Sequence, residues 1–275
     1  MTSKKAASSV IKFIVLTVVL ILFIVPFVFL LINSFKENIA ITSNPLSLPE
    51  SFNMVNYMNA LDKMNYIDAF TNSLVITVLS VLFISLFAAM TAHYFVRNNT
   101  KFNQYTFMLM VASMIIPFQA IMIPLVKIYG SLDLLNSKWS LIYMYIGFGS
   151  SLAVFIYHGF VKSIPKELEE AALIDGCTRI QTFFRIVFPV LMPTTATISI
   201  LNVLWVWNDF LLPSLILVDP EQRTLPLSTY NFYGTYTVDY GPLMASLVLT
   251  IFPIIIIYLF AQKYIIQGVM QGSIK

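Results

Sequence analysis

The feature that most constrains this 275-residue chain is a set of long apolar runs that carry no charge. Residues 13–32 contain no Asp, Glu, Lys or Arg. A hydrocarbon core about 30 Å thick needs about 20 residues of helix rising ~1.5 Å each, and this run supplies them. Five further stretches pass the same test, roughly 69–94, 105–125, 139–161, 186–207 and 242–260. All are too long and too continuous for barrel strands, whose residues would alternate inward and outward. The expectation is an all-α integral membrane protein with six transmembrane helices.

Composition excludes the alternatives. The chain is 58% hydrophobic and 11% charged, whereas a soluble domain carries about 25% charged residues. Disorder would need the opposite balance. Aromatic residues make up 15% of the chain, which suits rings packed between helices and anchored at a lipid interface. The single cysteine, Cys177, cannot form an internal disulfide, and no Cys/His cluster has metal-ligand spacing. Nothing in the pattern points to nucleic acid.

Lys4 and Lys5 resemble the start of a signal peptide. The apolar run after them exceeds the usual signal core, and Asn33-Ser34-Phe35-Lys36 offers no small-x-small cleavage site. The first run therefore reads as a retained span. With the N-terminus placed in the cytoplasm, the inner segments hold Lys4, Lys5, Lys12, Arg97, Lys101, Lys162, Lys166, Arg179, Arg185, Lys263 and Lys275, eleven of the sixteen basic residues. The outer segments hold Lys36, Lys63, Lys127, Lys138 and Arg223. This asymmetry predicts that both termini are cytoplasmic. The long outer segments are then about 34–68 and 208–241.

Inside the spans the only ionisable groups of the usual kinds are His93 and His158, each near a cytoplasmic end. They read either as interfacial residues or as a proton relay. An ion-coupled secondary carrier would normally need buried charges and internal repeats, and neither is visible. Neutral polar groups do occur. Gln119 lies between Pro117 and Pro124, and Thr194, Thr195, Thr197, Ser199 and Asn202 lead to Trp205, Trp207 and Asn208. Proline kinks a helix where neighbours can re-satisfy the freed carbonyl. Such a lining suits an uncharged, hydroxyl-rich solute, although Ser and Thr also serve simply to bring helices close. There is no phosphate loop, nucleophile elbow or HExxH pair. The chain reads as no enzyme, and any pumping must be fuelled by another chain.

Between the fourth and fifth spans lies a short polar segment expected to form a helix over residues 164–176. Pro165 can stand in its first turn. Glu167, Glu169 and Glu170 lie near the positive end of its dipole. Ala171 and Ala172 favour the helix, and Gly176 supplies a left-handed stop. The result is about three turns, ~18 Å long. It reads as a knob for another surface or as a connector resting on lipid headgroups.

Glu170-Ala171-Ala172, three residues, Gly176, nine residues and then Ile186-Val187-Phe188-Pro189 reproduce a known signature. The chain resembles the permeases of binding-protein-dependent ABC importers, whose loop reads EAA---G---------I-LP. Phe188 stands where that family usually has leucine. The wider chain is similar to the sugar-uptake branch and its MalG-like subunits. Asn72-Ser73-Leu74, Ile116-Pro117-Phe118-Gln119, Trp207-Asn208-Asp209-Phe210 and Arg223-Thr224-Leu225-Pro226-Leu227 support this. The resemblance covers almost the whole length.

It implies a type I ABC importer permease fold in a bacterial or archaeal cytoplasmic membrane. Residues 1–68 would be a first span and outer loop, 69–267 the permease core, and 268–275 a cytoplasmic tail whose last residues, 271–275, reach toward the ATPase interface. The implied partners are a second homologous permease subunit, two copies of a cytoplasmic ABC ATPase that uses ATP and Mg, and an extracytoplasmic sugar-binding protein. No cofactor is expected on this chain itself. Glu167, Glu170, Ala171, Ala172, Asp175 and Gly176 would form the ATPase-docking contact. Gln119, Asn202, Trp205 and Asn208 are candidates for the sugar pathway. The implied cargo is a sugar, chiefly oligosaccharide, although glycerol-phosphate carriers share the branch.

Overall fold

A computed structural model describes residues 2–234 and 236–273, with side chains described for 8–234, 236–260 and 262. The regular structure of the described residues is helical, apart from one isolated bridge between Tyr233 and Val238. The principal helices are α1 (Thr2–Asn33), α2 (Tyr66–Arg97), α3 (Lys101–Ser113), α4 (Phe118–Ser131), α5 (Lys138–Val161), α6 (Lys166–Ile174), α7 (Met192–Asn208) and α8 (Tyr240–Ser273). An arm, Arg179–Val190, precedes α7. The expected tail residues 274 and 275, and the side chains of 263–273, lie outside the described residues.

Four helices are long and apolar enough to cross a membrane unbroken, namely Ser8–Asn33, Tyr66–Arg97, Lys138–Val161 and Tyr240–Phe260. The other two apolar stretches are not straight rods. The third is split into α3 and α4 with a bend of 103°, and the fifth into the arm and α7 with a bend of 76°. At the first bend Met114, Ile115 and Ile116 close tight turns onto Val111, Ala112 and Ser113. Pro117 then stands extended at φ −68°, ψ 139°. A proline disfavours helix in the residue before it and donates no hydrogen bond, so the helix stops and restarts in a new direction.

At the second bend Phe183–Val187 forms a π-helical turn directly before Pro189. An extra residue in the turn relieves the clash of the proline ring with the carbonyl four residues back. Leu191 N donates to the carbonyls of both Val187 and Phe188 at 3.1 Å. Pro193 follows in the first turn of α7.

The chain divides into two compact units. The first comprises Met1–Ile67 and Ser228–Pro253. Its loops are tied by side-chain amides. Asn38 Nδ2 donates to Asp239 Oδ1 at 3.0 Å and Asn38 Oδ1 accepts from Gly241 N at 2.8 Å. Asn56 Nδ2 donates to the carbonyls of Ser34 and Lys36. The Lys36 ammonium is buried and bonds the carbonyls of Asn44 and Pro45 at 3.3 Å. Gly241 has no room for a side chain, since a Cβ would meet the Asn56 amide within 2.7–2.9 Å.

The second unit comprises Asp68–Leu227 and Ile254–Lys275. Its core is built from α2, α5, the arm and α7. One apolar cluster gathers Ala88, Ala89 and Ala92 of α2 with Tyr157 of α5, Phe183 of the arm and Ile198 of α7. A second joins Ile76, Tyr145 and Val206 with Leu212 and Ile216 of the short helix Leu211–Ile216. Alanines let helix backbones approach closely, which gives dispersion contact where no hydrophobic drive exists between helices in lipid. Gly149 marks the tightest point, where a Cβ would come 2.6 Å from Ile84 Cδ1 and 2.9 Å from Asn202 Oδ1. Side-chain bonds bridge these helices: Ser85 to Ser199 at 3.1 Å, Tyr157 to Thr195 at 2.9 Å, Tyr145 to Asp209 at 2.9 Å and Lys138 to Asn72 at 3.3 Å.

Candidate functional site: the loop helix and its socket

The helix expected over 164–176 is shorter than the sequence reading. It runs from Lys166 to Ile174, nine residues, or ~13 Å. Pro165 sits at the N-cap position at φ −59°, ψ 134°, just outside the helix instead of in its first turn. Glu167 and Glu169 occupy the first turn, where the helix dipole favours anions. At the far end Asp175, Gly176 and Cys177 donate to the carbonyls of Ala171, Leu173 and Ala172, at 2.9, 3.1 and 3.0 Å. Gly176 adopts φ +86°. Its surroundings are open, with no atom near a would-be Cβ, so the backbone angle and not the space requires glycine here. Thr178 and Gln181 then cap the arm reciprocally, which fixes where the next helix starts.

One side of α6 faces the rest of the chain. Ala172 is buried, and so is Ile164 just before the helix. Glu169 turns the same way and is held by two residues four apart on α2. Arg97 Nε donates to Glu169 Oε1 at 2.8 Å, and Arg97 Nη2 approaches the same oxygen at 2.6 Å. His93 Nε2–H donates to Glu169 Oε2 at 2.9 Å. Arg97 Nη2 also donates to the carbonyl of Ile164 at 2.9 Å. The side chains of this cluster are only 13–20% exposed. Burial pushes the Glu169 pKa up, but the hydrogen bonds and charges of Arg97 and His93 outweigh it and hold it below the ordinary carboxylate value. A cavity of about 570 Å³ opens beside the cluster, with Lys166, Leu173 and Arg179 on one side and Met90, Tyr94 and Phe184 among its other walls.

The other side of α6 is free in this chain. Glu167, Leu168, Glu170, Ala171, Ile174, Asp175 and Gly176 are exposed. Five of the six docking candidates therefore share an accessible surface, and Ala172 does not. Reading the sequence alone overlooked Glu169, His93 and Arg97 as a group. The signal was present: a histidine and an arginine four apart lie on one helix face and can meet a single carboxylate.

The pathway candidates are spread more widely. Asn202, Trp205 and Asn208 follow one another at three-residue spacing on α7. Asn202 is buried and its Nδ2 donates to Ile198 O at 2.9 Å. Asn208 is exposed and donates to Leu204 O at 2.7 Å. Trp205 is half-exposed and packs edge-on against Tyr145 at 5.4 Å. Gln119 is exposed on α4 and forms no hydrogen bond with the other three. Of the two histidines, His93 belongs to the Glu169 cluster and His158 stacks on Phe107 at 4.0 Å. Among the described residues no group of three or more His, Cys, Asp or Glu is placed to hold a metal ion.

Residues 81–271 match the family described as "Binding-protein-dependent transport system inner membrane component". The chain is 43% identical over 255 residues to the probable starch degradation products transport system permease protein AmyC of Thermoanaerobacterium thermosulfurigenes, covering 93% of each. It is 40% identical over 269 residues to the multiple sugar-binding transport system permease protein MsmG of Streptococcus mutans, covering 96% of each. Among solved structures, it superposes with a TM-score of 0.81 on a chain of a bacterial ABC transporter involved in the import of the acidic polysaccharide alginate. That match covers 95% of this chain and 97% of the other at 21% identity.

Proposed function

Because the chain belongs to the family of binding-protein-dependent transport system inner membrane components, we propose that it forms half of the pathway of an ATP-driven sugar importer, with oligosaccharides as its main cargo. The chain is a permease component and not an enzyme. The observation that carries the reading is α6, a short helix closed by Gly176 that exposes Glu167, Glu170, Ala171 and Asp175 beside Leu168 and Ile174.

In this reading the chain crosses the membrane six times, with α3–α4 and the arm–α7 each counted as one bent span, and both termini are cytoplasmic. A second homologous permease completes the pathway. Two ABC ATPases bind ATP and Mg beneath it, and an extracytoplasmic sugar-binding protein delivers cargo to the outer loops. Glu167, Glu170, Ala171 and Asp175 contact the ATPase, Gly176 sets the angle at which they are offered, and Ala172 backs them from within. Trp205 and Asn208 are the accessible pathway candidates; Asn202 acts more by packing against Gly149, and Gln119 lines a separate stretch.

Motion follows from differential binding. A cavity open to the cytoplasm is favoured while the ATPases stand apart. Sugar-loaded binding protein and ATP favour the outward state, each by no more than its difference in affinity for the two. The test is reconstitution of the whole complex with Gly176→Asp in this chain. At φ +86° an aspartate is strained, the offered angle changes, and both sugar uptake and stimulated ATP hydrolysis should fall by on the order of tenfold or more. Normal values of both in an assembled complex would remove α6 as the coupling element.

A further inference from the structure

Docking explains how force reaches α6 but not how it leaves. By covalent connection α6 passes into the arm through Asp175, Gly176 and Cys177, a turn that includes a residue at φ +86°. That turn is one exit for a load. The structure offers a second exit that bypasses it. Glu169 projects from α6 opposite the exposed docking surface and is gripped by Arg97 and His93, both on α2. Arg97 also holds the Ile164 carbonyl on the other side of Pro165. Three separate contacts therefore fix both the helix and its lead-in to one end of α2, within 2.6–2.9 Å.

We infer that the Glu169–Arg97–His93 cluster is the mechanical link that makes α6 and α2 move as one body, so that ATPase motion enters the membrane through α2 as well as through the arm. This rests on the reading of α6 as the docking helix and adds the route by which its displacement is delivered. The chemistry suits a load-bearing joint. Two guanidinium nitrogens converge on Oε1 while His93 holds Oε2, so both carboxylate oxygens are engaged and the joint resists rotation as well as separation. Removing one partner strands the other in a place where water reaches it poorly. The continuation of α2 carries the load on: Ala92, Ala89 and Ala88 lie one and two turns above Arg97 in close packing with Tyr157, Phe183 and Ile198. Glu169, Arg97 and His93 are positioning residues here, acting through α6 and α2.

The experiment uses the complete complex in proteoliposomes, measuring sugar transported per ATP hydrolysed. Glu169→Gln and Arg97→Gln should lower this ratio about tenfold, with ATP still hydrolysed, and the exchanged pair Arg97→Glu with Glu169→Arg should recover part of it. His93→Gln, which leaves the arginine contact in place, should lower the ratio less and serves if the other variants fail to assemble. A second readout separates a link from a merely structural contact. Spin labels at positions 99 and 174, beyond the end of α2 and at the end of α6, should report one unchanged distance in the nucleotide-free and vanadate-trapped states of the wild type, and a broadened one in Glu169→Gln.

A wild-type distance that changes between the two states, or a Glu169→Gln complex with an unaltered ratio, overturns the link while leaving docking intact. Absence of cross-links from position 171 to the ATPase in a transporting wild-type complex overturns the parent reading and this inference with it.

Discussion

Helices α1 and α2 are each 32 residues long and both are apolar enough to cross a membrane. The more apolar of the two is α1, yet none of its most apolar stretch is buried, against 44% of that of α2. The difference lies in side-chain size. The buried face of α2 reads Ala69, Asn72, Ser73, Ile76, Thr77, Ser80, Val81, Ile84, Ser85, Ala88, Ala89 and Ala92, mostly small or polar residues recurring every third or fourth place. Over 13–25, α1 carries Val, Ile, Leu and Phe all round, exposed but for a half-buried Thr17. Hydropathy thus finds both helices but does not sort them. Small residues and hydroxyls mark the helix that packs against protein, because in lipid close fit and hydrogen bonds replace the hydrophobic drive.

The sharpest way to break this comparison is to enlarge a contact of the packed helix and one of the bare helix alike. Gly149→Leu would drive carbon into Ile84 and Asn202, which already lie 2.6–2.9 Å from a modest Cβ. Overpacking should cost about 2–3 kcal/mol. Val18→Leu on α1 should stay within about 0.5 kcal/mol. Unfolding of the purified chain in detergent measures both, and equal costs would refute the distinction. A smaller effect is expected from Tyr145→Phe. It deletes the bond to Asp209 Oδ2, and should cost about 1 kcal/mol in the same assay.

The smallest effect appears only in acid. The pKa of Glu169 is held below its ordinary 4.5, so the folded state binds its proton less readily than the unfolded chain does. The stabilisation this gives is complete above pH 4.5 and is lost as pH falls through the lower, folded value. Hydrogen exchange of the α6 amides should therefore be protected equally at pH 7 and pH 5 and loosen only below about 4.5. In Arg97→Gln the loosening should begin at higher pH, whereas α1, with no such contact among its described residues, should show no transition of this kind.

Much of this architecture was written in patterns that a sequence displays directly. All six apolar stretches are helical, and Gly176 takes the left-handed angle expected of a helix stop. Two of the stretches proved to be bent pairs because hydropathy counts residues and carries no direction. Pro117 announced the first bend as a kink, but its size depends on how Met114 to Ile116 close their turns. The π turn before Pro189 had no signal beyond the proline itself. The loop helix was legible, while its inner face was not. Ala171 and Ala172 are the same residue type with the same propensity, and only the packing of α6 on the chain separates the exposed one from the buried one. Asn202 looked like a lining residue, but in the folded chain its amide bonds its own helix and its oxygen lies against Gly149. A polar residue in a span advertises a hydrogen bond without saying where it is made.

The 76° elbow at Leu191 has a geometric consequence of its own. Two rods joined near a right angle behave as a crank. Twisting the short rod about its length sweeps the long one sideways instead of spinning it in place. With seventeen residues, α7 reaches ~25 Å, so a roll of about ten degrees in the arm would carry its far tip, near Trp205 and Asn208, through about 4 Å. A gentle turn in the short rod would thus become a displacement of several ångströms at the other end of the lever.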